Sequence, residues 1–207
     1  MCRPKYGNWN TIYRRFRRWS EAGVWKAGRS RWPRSWLTVV TTASTVPRFA
    51  PCLGGGRKRG GCRRALGRSR GGFTSKLHCL ADARGRPIAF HPTHGEAADC
   101  TAYAKLIDLP ERAPRVLLAD KGYDTNAIRA DLVHREIQAV IPAKSNRREK
   151  IDHDRVLYRQ RNGIERAFGR LKINRAIATR YDQMPSSFLG MVYLATIRFW
   201  LKFVHAA

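Results

Sequence analysis

Residues Tyr158 to Lys172 read YRQRNGIERAFGRLK, and the spacing inside this stretch decides the fold. Tyr158, Arg161, Glu165 and Lys172 are separated by 3, 4 and 7 residues. Each residue of an α-helix advances about 100°, so the four side chains fall in a stripe roughly 60° wide. Beside it runs an apolar stripe of Leu157, Ile164, Phe168 and Leu171. The pattern predicts an amphipathic helix over Arg155 to Lys172, greasy on one side, with a phenol, two cations and a carboxylate along its border. Taken alone, it also fits a surface helix with a salt-bridged flank.

Four other stretches narrow the reading. They are Leu66 to His78 (LGRSRGGFTSKLH), Ala119 to Asp124 (ADKGYD), Ile141 to Arg147 (IPAKSNR) and Arg175 to Asp182 (RAIATRYD). With Tyr-x2-Arg-x3-Glu-x6-Lys, and in this order, they resemble the landmarks of bacterial insertion-sequence transposases of the DDE superfamily. The resemblance covers about residues 62 to 204. It implies an α/β fold with a ribonuclease-H-like mixed sheet flanked by helices, and a DNA transposase that cuts and joins strands at terminal inverted repeats. It also implies that Asp120 and Glu165 are catalytic, metal-holding acids, two of three. Two Mg²⁺ or Mn²⁺ ions would serve an intact member, and hard ions of this kind take carboxylate oxygens. Arg161 and Lys172 would bind DNA phosphates, and Tyr158 would stack on a base or hold a phosphate.

The first acid of the triad has no match. In the family it ends the first strand of the core, within an Asp-Ser-Thr or similar sequence. Here no Asp or Glu occurs between Glu21 and Asp82. Leu37 to Thr42 (LTVVTT) is strand-like in composition. The surrounding segment is basic and broken by Pro33, Pro47, Pro51 and Gly54 to Gly56. Residues 26 to 61 thus read as an irregular basic segment, out of frame from about Lys26 to Gly54, and the sheet is expected to be incomplete at its first strand. Asp99 is the nearest candidate for a replacement acid.

Composition speaks to partners. The chain has 207 residues and a formal charge of +26. Such a charge says nothing of fold but calls for a polyanion, and double-stranded DNA is the natural one, as inverted-repeat ends and as target. The longest greasy run, Phe188 to Leu201, is too short for a membrane span and carries Arg198. Five cysteines without a Cys-x2-Cys pair argue against a disulfide scaffold or a zinc site. The start, MCRPKYGNWN, has no signal-peptide core. A reduced cytoplasmic protein of the bacterial nucleoid, and a homodimer in a synaptic complex, are the corresponding expectations.

Residues 1 to 25 carry Trp9, Ile12, Phe16 and Trp19 at helical spacing, with Arg14, Arg15, Arg17 and Arg18 between them. This predicts a helix capped by Asn10 or Thr11, aromatics in a core and arginines on DNA phosphates. It matches only the end of the helix-turn-helix-like module usual in the family. Beyond residue 62 the expected order is a strand over Phe73 to Ala81, a Gly85-Arg-Pro87 turn and a strand over Ile88 to His91. A helix over Thr101 to Ile107 follows, then a buried strand over Arg115 to Ala119 ending in Asp120. A helix over Asn126 to Arg135 capped by Asp124, a buried strand over Gln138 to Ile141 and an inward-packed helix over Ser187 to Val204 complete it. Asp120 is well placed for chemistry, since ligands gather at the carboxyl ends of strands in open α/β sheets. His91 and His94 form a weak metal pair that reads as structural. Three functions compete: an active transposase, a catalytically dead DNA-binding remnant, and a basic RNA binder. The third fits the charge but not the Tyr158 to Lys172 stripe.

Overall fold

The computed structural model describes residues 7–27, 37–45, 67–69, 72–110, 113–179 and 184–204. Its strands are β1 (Leu37–Thr45), β2 (Gly67–Ser69), β3 (Gly72–Asp82), β4 (Pro87–His94), β5 (Val116–Ala119) and β6 (Gln138–Val140). Across the sheet the order is β4–β3–β1–β5–β6, with β2 paired to the start of β3. β1 runs antiparallel to β3, from Thr38 opposite Asp82 to Thr45 opposite Ser75. It runs parallel to β5, from Leu37 beside Val116 to Val40 beside Ala119. The mixed sheet flanked by helices is therefore as expected. The first strand, however, is present and central: the segment expected to be irregular supplies β1 within it. Threonine and valine are enriched in strands, and this run pairs on both sides.

Helices cover both faces. Strand alternation sends Leu77, Cys79 and Ala81 to one side and His78 and Leu80 to the other. Leu77, Cys79, Ala81, Phe90 and Leu118 pack with Ile164, Phe168 and Leu171 of α6 (Asn162–Lys172), Ile177 of α7 (Arg175–Ala178) and Phe188, Val192 and Tyr193 of α8 (Pro185–Val204). On the other face Leu80, Ala89, Leu117 and Ala119 pack with Tyr103, Leu106 and Ile107 of α3 (Tyr103–Ile107) and Ile128 and Leu132 of α4 (Asn126–His134). β5 is covered on both sides, which is why it reads as an unbroken apolar run. The stretch before α3 is a 3-10 turn over Asp99–Ala102, so the helix is shorter than its sequence suggests.

Two local arrangements fix α6 against the sheet. The β3–β4 turn is closed by the buried Asp82, which accepts hydrogen bonds from Arg84 N (3.0 Å), Arg86 N (2.9 Å) and Arg86 Nε (2.6 Å). Gly85 there has φ +72° and rests on Gly163 in the first turn of α6; a Cβ on Gly85 would stand 2.4 Å from the Gly163 carbonyl carbon. The helix predicted over Arg155 to Lys172 is not continuous. α5 (Arg155–Tyr158), capped by Asp154, passes through a 3-10 turn over Arg159–Arg161 before α6 begins.

The N-terminal helices α1 (Trp9–Glu21) and α2 (Val24–Ala27) pack on α8. The contact is close at Gly190, where a Cβ would meet Ser20 Oγ at 2.1 Å. Asn8, not Asn10 or Thr11, caps α1, accepting from Asn10 N at 2.9 Å. The aromatic stripe of α1 is also not a buried core. Phe16 and Trp19 stack around Trp25, but Trp9 is 66% exposed and Ile12 and Tyr13 are exposed as well. α8 lies between these helices and the sheet, buried at Phe188, Val192, Thr196 and Trp200 and open at Leu194 and Leu201. Among the described residues no helix is long and apolar enough to cross a membrane.

Candidate active site

Asp120 follows β5 directly, and its extended backbone turns into a 3-10 turn over Lys121–Tyr123. Arg161, at the end of the 3-10 turn before α6, bonds through Nη1 to Asp120 Oδ1 and through Nη2 to Glu165 Oε1, the latter at 2.6 Å. One guanidinium thus joins the two sequence-predicted acids. Tyr158 Oη donates to Asp120 Oδ1 at 3.3 Å. Residues three apart align in a 3-10 turn, and the Arg161 guanidinium lies over the Tyr158 ring at 5.4 Å. Burial raises the Tyr158 phenol above its ordinary pKa, with the Arg161 charge opposing and the Asp120 carboxylate adding. The phenol is therefore a donor at neutral pH.

The loop carrying Asp120 is held from behind by residues of the other landmarks. Tyr123 is fully buried, and its hydroxyl meets His78 Nδ1 of β3 at 2.8 Å. His78 Nε2 meets Thr93 Oγ1 of β4 at 2.8 Å. His78 is itself inaccessible, and burial pulls its pKa down to about 4, with Asp99 opposing and His91 and Lys76 assisting. Asp124 does not cap α4; Thr125 does, accepting from Ile128 N at 3.2 Å. The Asp124 side chain is buried and receives Arg129 Nε (2.8 Å), Arg147 Nη1 (3.0 Å) and Lys144 N (2.8 Å). Burial alone would raise its pKa, but the Lys144 N–H and the two guanidiniums outweigh it, and the carboxyl is held below the ordinary range. Sequence reasoning missed His78, Arg129 and Arg147 as members of this scaffold. The signal was there for His78 and Arg147, which lie in the quoted landmarks.

The remaining candidates lie elsewhere. Lys172 is exposed at the last residue of α6. Arg14, Arg15, Arg17 and Arg18 are exposed on α1, and Arg17 pairs with Glu21 at 3.2 Å. Asp99 accepts from Lys76 Nζ at 2.9 Å and packs against Gly122, on the far side of the loop after Asp120. His91 stands opposite His78 in the β3–β4 ladder. Among the described residues no group of three or more His, Cys, Asp or Glu side chains gathers as a metal site.

The sheet register also gives the residue of β1 that neighbours Asp120. The last parallel pair is Val40 with Ala119, so position 41 stands next to Asp120. On its other side position 41 faces Cys79, which belongs to the layer beneath α6. Position 41, a threonine, is thus the residue of β1 that stands beside Asp120 in the register.

A family model described as Transposase DDE domain matches residues 43–200. The putative transposase for insertion sequence element IS6501 of Brucella ovis is 34% identical over 131 residues, which are 63% of this chain and 100% of that protein. The putative transposase for insertion sequence element IS402 of Burkholderia cepacia is 32% identical over 119 residues, 53% of this chain and 54% of that one. Among solved structures, the piggyBac transposase synaptic complex with hairpin DNA aligns at TM-score 0.49 and 14% identity, covering 84% of this chain and 48% of that one. The Mos1 strand transfer complex aligns at TM-score 0.36 and 14% identity, covering 93% and 60%.

Proposed function

The chain belongs to the DDE transposases of bacterial insertion sequences, and on that premise we propose that Asp120 and Glu165 are its catalytic acids and that this copy is impaired by the threonine at position 41. The observation that carries the assignment is the single cation shared by Asp120 at the end of β5 and Glu165 on α6. Members of this family generally use divalent metals. The two carboxylates fit such a group: their oxygens are hard donors, and they already converge on one positive charge, the Arg161 guanidinium. Mg²⁺ or Mn²⁺ held by Asp120 and Glu165 would activate the attacking oxygen and stabilise the leaving one in phosphodiester cleavage.

The chain's own side chains do the rest. Tyr158 donates to Asp120 and fixes the carboxylate's orientation. Asp124 and Tyr123 hold the loop, so that Asp120 cannot drift from α6. Arg161, which touches both acids, and Lys172, exposed at the end of α6, suit the phosphates of a DNA end. Arg14, Arg15, Arg17 and Arg18 on α1 suit phosphate contacts that carry no sequence information. Double-stranded DNA, as inverted-repeat end and as target, is the partner this charge calls for, and the bacterial nucleoid is the corresponding place. Two protomers, each holding one end, would make a synaptic complex.

A catalytically dead DNA-binding remnant is the second reading, and the threonine at position 41 favours it. An acid there would place a third carboxylate in register beside Asp120, where the site now has two. Cleavage of a DNA end bearing the element's own inverted repeat, in Mg²⁺ or Mn²⁺, separates the readings. Little or no cleavage is expected from the chain as it stands, and a clear gain from Thr41→Asp. That gain should vanish on adding Asp120→Asn or Glu165→Gln. Equal cleavage with and without Thr41→Asp would refute the impairment, and a gain indifferent to Asp120 and Glu165 would refute the site.

A further inference from the structure

Resting on the assignment of Asp120 and Glu165 as the ion-holding acids, we infer that Arg161 is a gate on ion loading. Its guanidinium offsets half the charge of the acid pair in the resting protein and yields the pair to a divalent ion when a DNA phosphate draws the guanidinium away.

Three observations support this. The first is how the fork is used. An Arg–carboxylate pair is often bidentate, two parallel bonds to one carboxylate. Arg161 instead spreads its nitrogens over two carboxylates on different elements, Nη1 to Asp120 and Nη2 to Glu165. It thus engages the carboxylate oxygens that would hold a cation. A divalent ion cannot join it there, since a guanidinium and a divalent cation within contact distance repel strongly. Ion and Arg161 are competitors for the same oxygens.

The second is the position of Arg161 in the chain. It ends the 3-10 turn over Arg159–Arg161, where α5 gives way to α6. Its guanidinium is held by the two acids and by the face of Tyr158. A rotation about its side-chain bonds removes the charge from both carboxylates without moving the helix that carries Glu165.

The third is chemical. The planar fork that suits a carboxylate suits a phosphate oxygen pair equally well. A backbone phosphate offered beside the acids gives Arg161 a second anion to hold. Once it turns, Asp120 and Glu165 lose the Arg161 charge and their attraction for a divalent cation rises. Because the coupling is thermodynamic, the ion must strengthen DNA binding by the same factor that DNA strengthens ion binding. The acids are thus kept from loading an ion until a DNA strand is in place.

The test measures Mn²⁺ binding by the electron paramagnetic resonance signal of the free ion, on the full chain. The proteins are the unmodified chain, Arg161→Gln, Asp120→Asn, and the double variant Arg161→Gln/Asp120→Asn, each with and without a short mixed-sequence duplex. Asp120→Asn mixed with duplex serves as the blank for ions held by the DNA. Without DNA, Arg161→Gln is expected to bind Mn²⁺ about tenfold more tightly than the unmodified chain. The duplex should tighten Mn²⁺ binding by the unmodified chain by a similar factor and leave Arg161→Gln unchanged. Equal Mn²⁺ affinity of the two proteins without DNA, with no effect of duplex on either, would overturn the gate. If Arg161→Gln fails to fold, the effect of duplex on the unmodified chain alone decides the matter. Mn²⁺ binding that survives in the double variant would show instead that the acid pair is not the ion site, removing the assignment beneath the gate.

Discussion

Protonation of His78 should unfold this protein from within its scaffold, and the size of the effect follows from the burial of that ring. The perturbation is a fall in pH. His78 is inaccessible and has its pKa lowered to about 4, chiefly by burial. In the unfolded chain the ring titrates near 6.5. Between those values the unfolded state binds the proton and the folded state refuses it, so stability falls as pH drops from about 6.5 toward about 4. The gap between about 6.5 and about 4 corresponds to about 3 kcal/mol over the whole window, of which about 1.5 kcal/mol is lost between about pH 6.5 and about pH 5. That upper interval is diagnostic, because unfolded carboxylates take up protons mainly below about pH 5. His91 is lowered too, by burial and then by Lys105, and adds in the same direction. The assay is urea unfolding at closely spaced pH values for the unmodified chain and for His78→Gln. The unmodified chain should lose about 1.5 kcal/mol more than the variant over the diagnostic interval. Equal losses would refute the claim that His78 is held neutral by its surroundings. Tyr123, the partner of His78, lies in the loop that carries Asp120, so the loosening should reach the acid site as well.

Three further outcomes are expected. Asp124→Ala strands two guanidiniums in a buried site and should cost about 3–5 kcal/mol in urea unfolding; a cost under about 1 kcal/mol would deny Asp124 its role as anchor. Gly85→Ala forces a Cβ onto a residue at φ +72° and into the Gly163 backbone, and should cost more than about 2 kcal/mol in thermal melts, whereas Gly169→Ala on the open face of α6 should not. DNA binding should weaken steeply as salt rises, by about 10³-fold or more between about 50 and 200 mM if six or more phosphates are contacted; filter binding or fluorescence anisotropy that shows no salt slope would remove the electrostatic reading of the +26 charge.

The parts of this molecule legible in its sequence are those where one short period decides. The α6 stripe of Ile164, Phe168 and Leu171 is buried as its spacing requires. The β3–β4 hairpin and the apolar run of β5 were equally plain. Long-range choices were not. Asp124 precedes a helix and so looked like a cap, yet Thr125 caps it locally, while Asp124 is taken by donors from α4 and from the segment after β6. The break at Arg159–Arg161 has no glycine or proline to announce it. The arginines and aromatics of α1 gave the right helix but the wrong burial, because the surface that receives it is one side of α8 rather than a core of its own.

The centre of the sheet has a consequence for how such a chain decays. A strand is held in place largely by main-chain N–H and C=O groups, and these are the same in every residue but proline. β1 has neighbours on both sides, so its place is secured twice over by groups that do not depend on which side chains it carries. A run rich in threonine and valine suits that slot. On the proposed reading catalytic competence has no such redundancy, since it hangs on the one residue of this strand beside Asp120. The architecture can therefore outlive the reaction it was selected for, and a lineage of copies can drift to silence while every member still folds.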